Sequence, residues 1–332
     1  MENKRLKVYY IGQYDGLDMS ETESALDKAG ADLFLLDHID DESELISKII
    51  DADGLISVYT PITRTIFSHL KNCKAVLRTG VGFDVVDIEA ATEFGVAVIN
   101  VPDMWTQEVA NQALTLLLAC NRKLLTGDSA IRKGDWNDKI PGSVGPLYGE
   151  TVGIIGIGQI GSAFSKRAAA LNLNIIGYDP YVSAEVWEQL NIEQVPLAEL
   201  MSKSDYVSIN CPLNDETHHM IDESMLNLMK PTSYLINTAR GAIVDEEALI
   251  KVIEEGTIAG AGLDALEIEP PNPNNALLKM SNVVLSAHVG HFSDASMARR
   301  PRRFGEEIAR VFSGQMPINL VNVEVNEKLQ LK

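Results

Sequence analysis

Short apolar runs separated by helix-like stretches recur along the whole chain. The first series is Val8–Ile11, Asp32–Leu36, Gly54–Val58, Ala75–Leu77 and Val96–Ile99; the second is Thr151–Ile155, Asn174–Tyr178, Tyr206–Asn210, Ser233–Asn237, Gly260–Asp264 and Asn282–Ser286. Continuous Val/Ile/Leu runs of this length mark strands covered on both faces, which predicts parallel sheets flanked by helices. The expected fold class is α/β, in two doubly wound domains. Between the two series, Glu108–Leu125 carries a long apolar face and predicts a helix joining the lobes, after a loop that starts at Pro102 and before a turn-rich loop at Gly142–Pro146. Glu306–Phe312 predicts a last helix that returns to the first lobe. The expected boundaries are 1–103 with 296–332 for a discontinuous first domain, and 104–295 for the second.

Composition narrows the class of function. The chain has 332 residues, 45% of them hydrophobic, and a formal charge of −19, so two cores are expected and a nucleic-acid partner is disfavoured, because net negative charge opposes phosphate binding. A small anion then needs a local cluster of donors that overrides the global field. Cys73, Cys120 and Cys211 are an odd number without a Cys-x-x-Cys pair, which predicts a reducing, cytoplasmic setting and neither disulfides nor zinc. Met1 to Lys7 are polar and charged, so no signal peptide or anchor is expected, and the longest apolar run, Ala113–Cys120, is far below the ~20 residues that span a bilayer.

Gly156-Ile-Gly158-Gln159-Ile160-Gly161 follows one strand and opens a helical pattern over Ser162–Leu171, and Asp179 ends the next strand. In a dinucleotide site the first glycine permits the turn, the second lets the backbone approach pyrophosphate, and the third allows close helix packing. The helix N-terminus faces the phosphates. The bland alternative is a tight turn that binds nothing. Asp179 suits ribose hydroxyls and repels a 2′-phosphate, with no arginine in Asp179–Val182, which favours NAD over NADP.

Three residues sit at the ends of late strands: Arg240 in Asn237–Gly241, Glu269 in Asp264–Pro271 and His288 in Ser286–Gly290. In a doubly wound sheet such ends form the ligand crevice. Imidazole titrates closest to neutrality of all side chains, so His288 is the expected acid/base for a hydroxyl or carbonyl that gives up or gains a hydride. Glu269 would stabilise the imidazolium. Arg240 would grip a carboxylate with its planar fork. Singly, each also reads as a surface, loop or structural residue; the joint arrangement points to catalysis.

These segments, with Arg78–Asp84, Asn100–Asp103, Cys211–Leu213 and Glu216-Thr217, resemble the signature motifs of the D-isomer specific 2-hydroxyacid dehydrogenase family over nearly the whole chain, most similarly the branch with phosphoglycerate dehydrogenases and carboxy-terminal binding protein corepressors. The resemblance implies a Rossmann NAD-binding domain, a flavodoxin-like substrate domain, a homodimer and a small 2-oxo or 2-hydroxy acid substrate. It carries over Arg240, Glu269 and His288 as the catalytic trio. It places Asp264 on the nicotinamide carboxamide, Thr106 near the cofactor, and Cys211, Pro212 and Thr217 beside the adenine. Thr238, Ala239 and Gly290 join Gly156, Gly158, Gln159, Ile160, Gly161 and Asp179 as cofactor contacts. Arg78 and the backbone of Val81 and Gly82 would meet the substrate carboxylate, where the bare pattern reads equally as a strand-end turn.

Gln159 and Ala287 depart from residues common in the family. His291 either lines the substrate pocket or caps a turn. His288 and His291 have metal-like spacing without further ligands nearby, so no metal is expected. Arg299–Arg303 reads as a solvated charge run with Pro301 in the first turn of a helix, or as an attractor of anionic substrate. The competing functions are a corepressor-like NAD(H)-responsive binding protein, a phosphoglycerate dehydrogenase specifically, and a formate- or phosphite-type enzyme, against which Glu269 speaks.

Overall fold

The structure is a computed structural model and describes residues 4–12, 17–139 and 142–332, so the polar start read at Met1–Lys7 lies partly outside the described residues. The chain divides into two compact units, Met1–Met104 with Ser293–Lys332, and Trp105–Phe292.

The first unit is built on strands β1 (Leu6–Ile11), β2 (Ala31–Leu36), β3 (Gly54–Ser57), β4 (Ala75–Arg78) and β5 (Ala97–Ile99). They are parallel in the order β2-β1-β3-β4-β5, the flavodoxin-like arrangement. Side chains dictate where its helices begin: Asp41, Thr63 and Asp87 each accept the N–H three residues on, so the helices Glu42–Ile49, Arg64–His69 and Ile88–Phe94 start there. A long helix, Asp294–Phe312, completes the unit behind a Ser293 capping box. It approaches the helix Ser20–Lys28 so closely that a Cβ on Gly305 would stand 2.8 Å from Thr22 Cα. Val98 and Val321 join backbones at 2.8 Å, and the Asn322 side chain accepts the Val98 N–H, so the chain end lies against β5.

This helix is far longer than the predicted Glu306–Phe312. Pro301 lies inside it instead of in its first turn, and there its carbonyl accepts the Thr22 hydroxyl at 2.6 Å. The arginine run is a solvated face only in part: Arg299 and Arg302 are exposed, while Arg300 and Arg303 turn inward. Arg300 is 8% exposed; Arg299 donates to Met104 O and Arg303 pairs with Asp103 and Glu307. The long aliphatic stems and local carboxylates let Arg300 and Arg303 pack inward.

The second unit carries β6 (Thr151–Ile155), β7 (Asn174–Tyr178), β8 (Glu193–Gln194), β9 (Tyr206–Ile209), β10 (Tyr234–Asn237), β11 (Gly260–Leu263) and β12 (Val283–Leu285). All pair in parallel in the order β12-β11-β10-β9-β6-β7-β8, which is the Rossmann order extended by one strand. The order reverses between β6 and β9, and that switch point is where such sheets take ligands. The predicted Glu108–Leu125 helix is two helices, Thr106–Asn121 and Leu124–Arg132. Lys123 adopts φ +49° between them, and the apolar Leu124-Leu125 pair that suggested continuity is exposed. Among the described residues, no helix is long and apolar enough to cross a membrane.

Candidate functional site

At the switch point of the second unit, β6 runs into Gly156 and the helix Gln159–Ala170 begins just past Gly158. Gly156 has φ +89°, and a Cβ there would stand 2.6 Å from Cys211 N; a Cβ on Gly161 would stand 2.0 Å from Gly156 O. Both glycines are demanded by the protein's own backbone. Gly158 is different. A Cβ there would meet nothing within 4 Å, so its bareness keeps open the space in front of the helix N-terminus, as a pyrophosphate requires. Beside it Thr106 Oγ1 donates to Gln159 Oε1 at 3.2 Å, and Ile160 is half-buried in the first turn.

Asp179, after β7, points its carboxylate back at this turn: Oδ2 accepts the Ile157 N–H at 2.8 Å and Oδ1 the Tyr181 N–H at 2.9 Å. The Tyr181 hydroxyl donates to Glu216. Cys211 and Pro212 follow β9, and Thr217 Oγ1 ties their loop by donating to Pro212 O at 2.6 Å. At the end of β10 the Ala239 N–H donates to Asn237 Oδ1, and Thr238 Oγ1 is buried with no hydrogen-bond partner among the described residues. An orphaned hydroxyl at a strand's carboxyl end, an open glycine and a ribose-type aspartate together fit a dinucleotide.

Arg240, Glu269 and His288 belong to this unit and are brought together. His288 Nδ1 lies 2.7 Å from Glu269 Oε2, with the side chains 24% and 37% exposed. Glu269 Oε1 accepts the Leu266 N–H at 3.0 Å. Burial opposes ionisation of Glu269 more than any other single influence. The hydrogen bond and charge of His288, the Leu266 N–H and the Arg240 guanidinium together outweigh it and hold the carboxyl below its ordinary range. Arg240 is half-buried, its Nη1 donating to Ala239 O at 2.9 Å and its carbonyl accepting from Asn237.

Asp264, 3% exposed, organises the turn that carries His288. Its carboxylate accepts the Ser286 hydroxyl and the N–H groups of Val289 at 3.0 Å and Gly290 at 2.8 Å, and its carbonyl accepts the His288 N–H at 2.8 Å. These bonds hold His288 at φ +52°. Gln112 donates to Ser286 Oγ at 2.8 Å and extends the chain. Sequence reading missed Gln112 and Ser286, because neither residue type signals chemistry until its partner is known. His291 packs edge-on against Trp105, ring centroids 6.0 Å apart. No group of three His, Cys, Asp or Glu suited to a metal occurs among the described residues.

Arg78, Val81 and Gly82 lie in the first unit, just past β4. Arg78 is 7% exposed, with its guanidinium 5.6 Å from the centre of the Tyr59 ring and folded over Gly80, where a Cβ would collide with Nη1. Asn100 holds the turn by donating to Val81 O at 2.6 Å, and the N–H groups of Val81 and Gly82 donate to no acceptor among the described residues. Successive amides in this state suit an anion. Burial pushes the thiols of Cys73, Cys120 and Cys211 up to about 12, which disfavours the nucleophilic thiolate at all three.

Comparison with known proteins agrees with this architecture. The profile of the D-isomer specific 2-hydroxyacid dehydrogenase NAD binding domain matches residues 114–290. A glyoxylate reductase of Korarchaeum cryptofilum is 39% identical over 285 residues, 85% of this chain and 86% of that protein. A D-3-phosphoglycerate dehydrogenase of Methanocaldococcus jannaschii is 38% identical over 85% of this chain but only 54% of its own length. Among solved structures, an acyclic imino acid reductase in complex with NADPH and D-Arg superposes with a TM-score of 0.86 at 30% identity, covering 95% of this chain and all of that one. The chain belongs to the D-isomer specific 2-hydroxyacid dehydrogenases, oxidoreductases that use NAD(H) on small 2-hydroxy and 2-oxo acids.

Proposed function

We propose that the protein reduces a small 2-oxo acid of about the size of glyoxylate to the corresponding 2-hydroxy acid, and runs the reverse oxidation. The observation that carries this is the 2.7 Å contact of His288 Nδ1 with Glu269 beside Arg240. NAD(H), when bound, supplies or accepts the hydride. Gly156, Gly158, Gln159, Ile160 and Gly161 would hold its pyrophosphate, Asp179 its ribose, Cys211, Pro212 and Thr217 its adenine edge, and Thr106, Thr238, Ala239, Asp264 and Gly290 its nicotinamide half.

His288 Nδ1 meets Glu269, and Nε2 is the ring nitrogen assigned to the substrate. It gives a proton to the carbonyl oxygen in reduction and takes one from the hydroxyl in oxidation. The Glu269 carboxyl, held below its ordinary range, presents an anion to Nδ1. Arg240 binds the substrate carboxylate and polarises the carbonyl. The family resemblance also assigns Arg78 and the amides of Val81 and Gly82 to the substrate carboxylate and His291 to the substrate side chain.

Relatives 39–40% identical over 86% of their own length are named glyoxylate reductase, which supports a small acid. The helix Leu124–Arg132 buries no residue of its own, which supports a homodimer, and three thiols suit the cytoplasm. The test is NADH consumption with glyoxylate, hydroxypyruvate, pyruvate and 3-phosphohydroxypyruvate, with formate and phosphite tried against NAD. Glyoxylate is expected to give the highest kcat/KM. Turnover of none of these would replace the enzyme by an NAD(H)-responsive binding protein.

A further inference from the structure

The loops that carry Arg240 and Glu269 are joined by a residue outside the trio. The His219 N–H donates to Ala242 O, two residues beyond Arg240, at 2.9 Å, and His219 Nε2 lies 2.9 Å from Glu267 Oε1, two residues before Glu269. The two loops touch through their backbones there. A Cβ on Gly241 would stand 1.9 Å from the Leu266 carbonyl carbon and 2.2 Å from Glu267 N. Glu267 also exchanges bonds with Glu246: its N–H donates to Glu246 Oε2 at 3.0 Å, and its Oε2 accepts the Glu246 N–H at 3.3 Å. Asn275 donates to Glu246 Oε1 at 2.6 Å. Each carboxylate thus accepts the other's backbone N–H, and the imidazole of His219 is the side-chain partner of Glu267 among the described residues. His218 stacks on His219 at 4.1 Å between centroids, and His219 itself takes φ +49°.

We propose that His219 is a positioning residue for the reaction. It fastens Glu267 to the backbone just past Arg240, and since the neighbouring Leu266 N–H holds Glu269 Oε1, it thereby sets where the Glu269 carboxylate meets His288. The effect is on geometry at the reacting centre, where displacements of about 1 Å cost up to ~10²-fold in rate. This inference rests on the assignment of Arg240 and Glu269 to catalysis.

Steady-state kinetics with NADH and the best 2-oxo acid test it. His219→Ala is expected to lower kcat about tenfold with the KM for NADH within about twofold of the parent, because the cofactor site is untouched. His219→Gln, whose amide still donates to Glu267, should recover most of that rate, and Glu267→Ala should show the same loss without adding to it in the double variant. A parental kcat in His219→Ala, a His219→Gln variant as slow as His219→Ala, or a loss confined to the KM for NADH would each overturn the proposal. If His219→Ala does not fold, a folded Glu267→Ala variant with parental kcat overturns it equally. Arg240→Ala and Glu269→Gln serve as controls: parental rates in both sink the reading of the site itself, while slow controls beside a fast His219→Ala sink only the role of His219.

Discussion

A guanidinium differs from an ammonium in shape more than in charge, and that difference sets what Arg240 contributes. Its fork matches a carboxylate, so Arg240→Lys keeps the charge and loses the paired bonds, each charge-assisted bond being worth about 1.5–3 kcal/mol. kcat/KM for the 2-oxo acid should fall roughly 10- to 100-fold while NADH affinity, read by fluorescence titration, stays unchanged. An unchanged kcat/KM would remove Arg240 from the site. The residues of the trio were legible in the sequence because their types and strand-end placement point to one chemistry. The work of Asp264 was not. Its donors, Ser286, Val289 and Gly290, lie more than twenty positions away in sequence, and only the fold reveals that this carboxylate shapes the turn carrying His288.

At the level of the element, the strand-turn-helix at Gly156–Gly161 separates packing from binding. Gly158→Ala places a methyl group in open space, so the variant should melt within about 2 °C of the parent yet bind NADH much more weakly. Gly161→Ala drives a Cβ into the Gly156 carbonyl and should lose stability by several degrees. Equal melting of both variants with equal NADH affinity would contradict the division. In the helix Asp294–Phe312, burial raises the carboxyl of Glu307 above its ordinary range. The folded state then holds that proton more tightly than the unfolded chain, so stability is lost as pH rises from the unfolded value through the folded one. Glu307→Gln removes this dependence, and the melting-temperature difference, variant minus parent, should grow between pH 4 and pH 8; a flat difference would contradict it. The buried strands were readable because burial on both faces leaves continuous apolar runs. Strand β8, Glu193–Gln194, carries no such signal, and the charges of Arg299–Arg303 and Glu307 masked a helix whose polar side chains find partners inside.

For the whole molecule, Leu124, Leu125 and Ile131 expose apolar surface on a helix none of whose residues is fully buried, and Trp136 follows it 87% exposed. The proposed homodimer would cover them. On that proposal Leu124→Glu with Ile131→Glu should convert the dimer to a monomer by light scattering, and with −19 per chain the dimer should tighten as salt screens self-repulsion. A parental chain that is monomeric at micromolar concentration would refute this. Connectivity carries a consequence for synthesis. The Trp105–Phe292 unit is one continuous segment, but β1–β5 need the helix Asp294–Phe312 and Asn322 to finish their packing. At translation rates of about 5–20 residues per second, on the order of ten seconds or more elapse before those partners leave the ribosome. The earliest-made strands are therefore the last to be completed, and their apolar faces wait uncovered until the final segment is made.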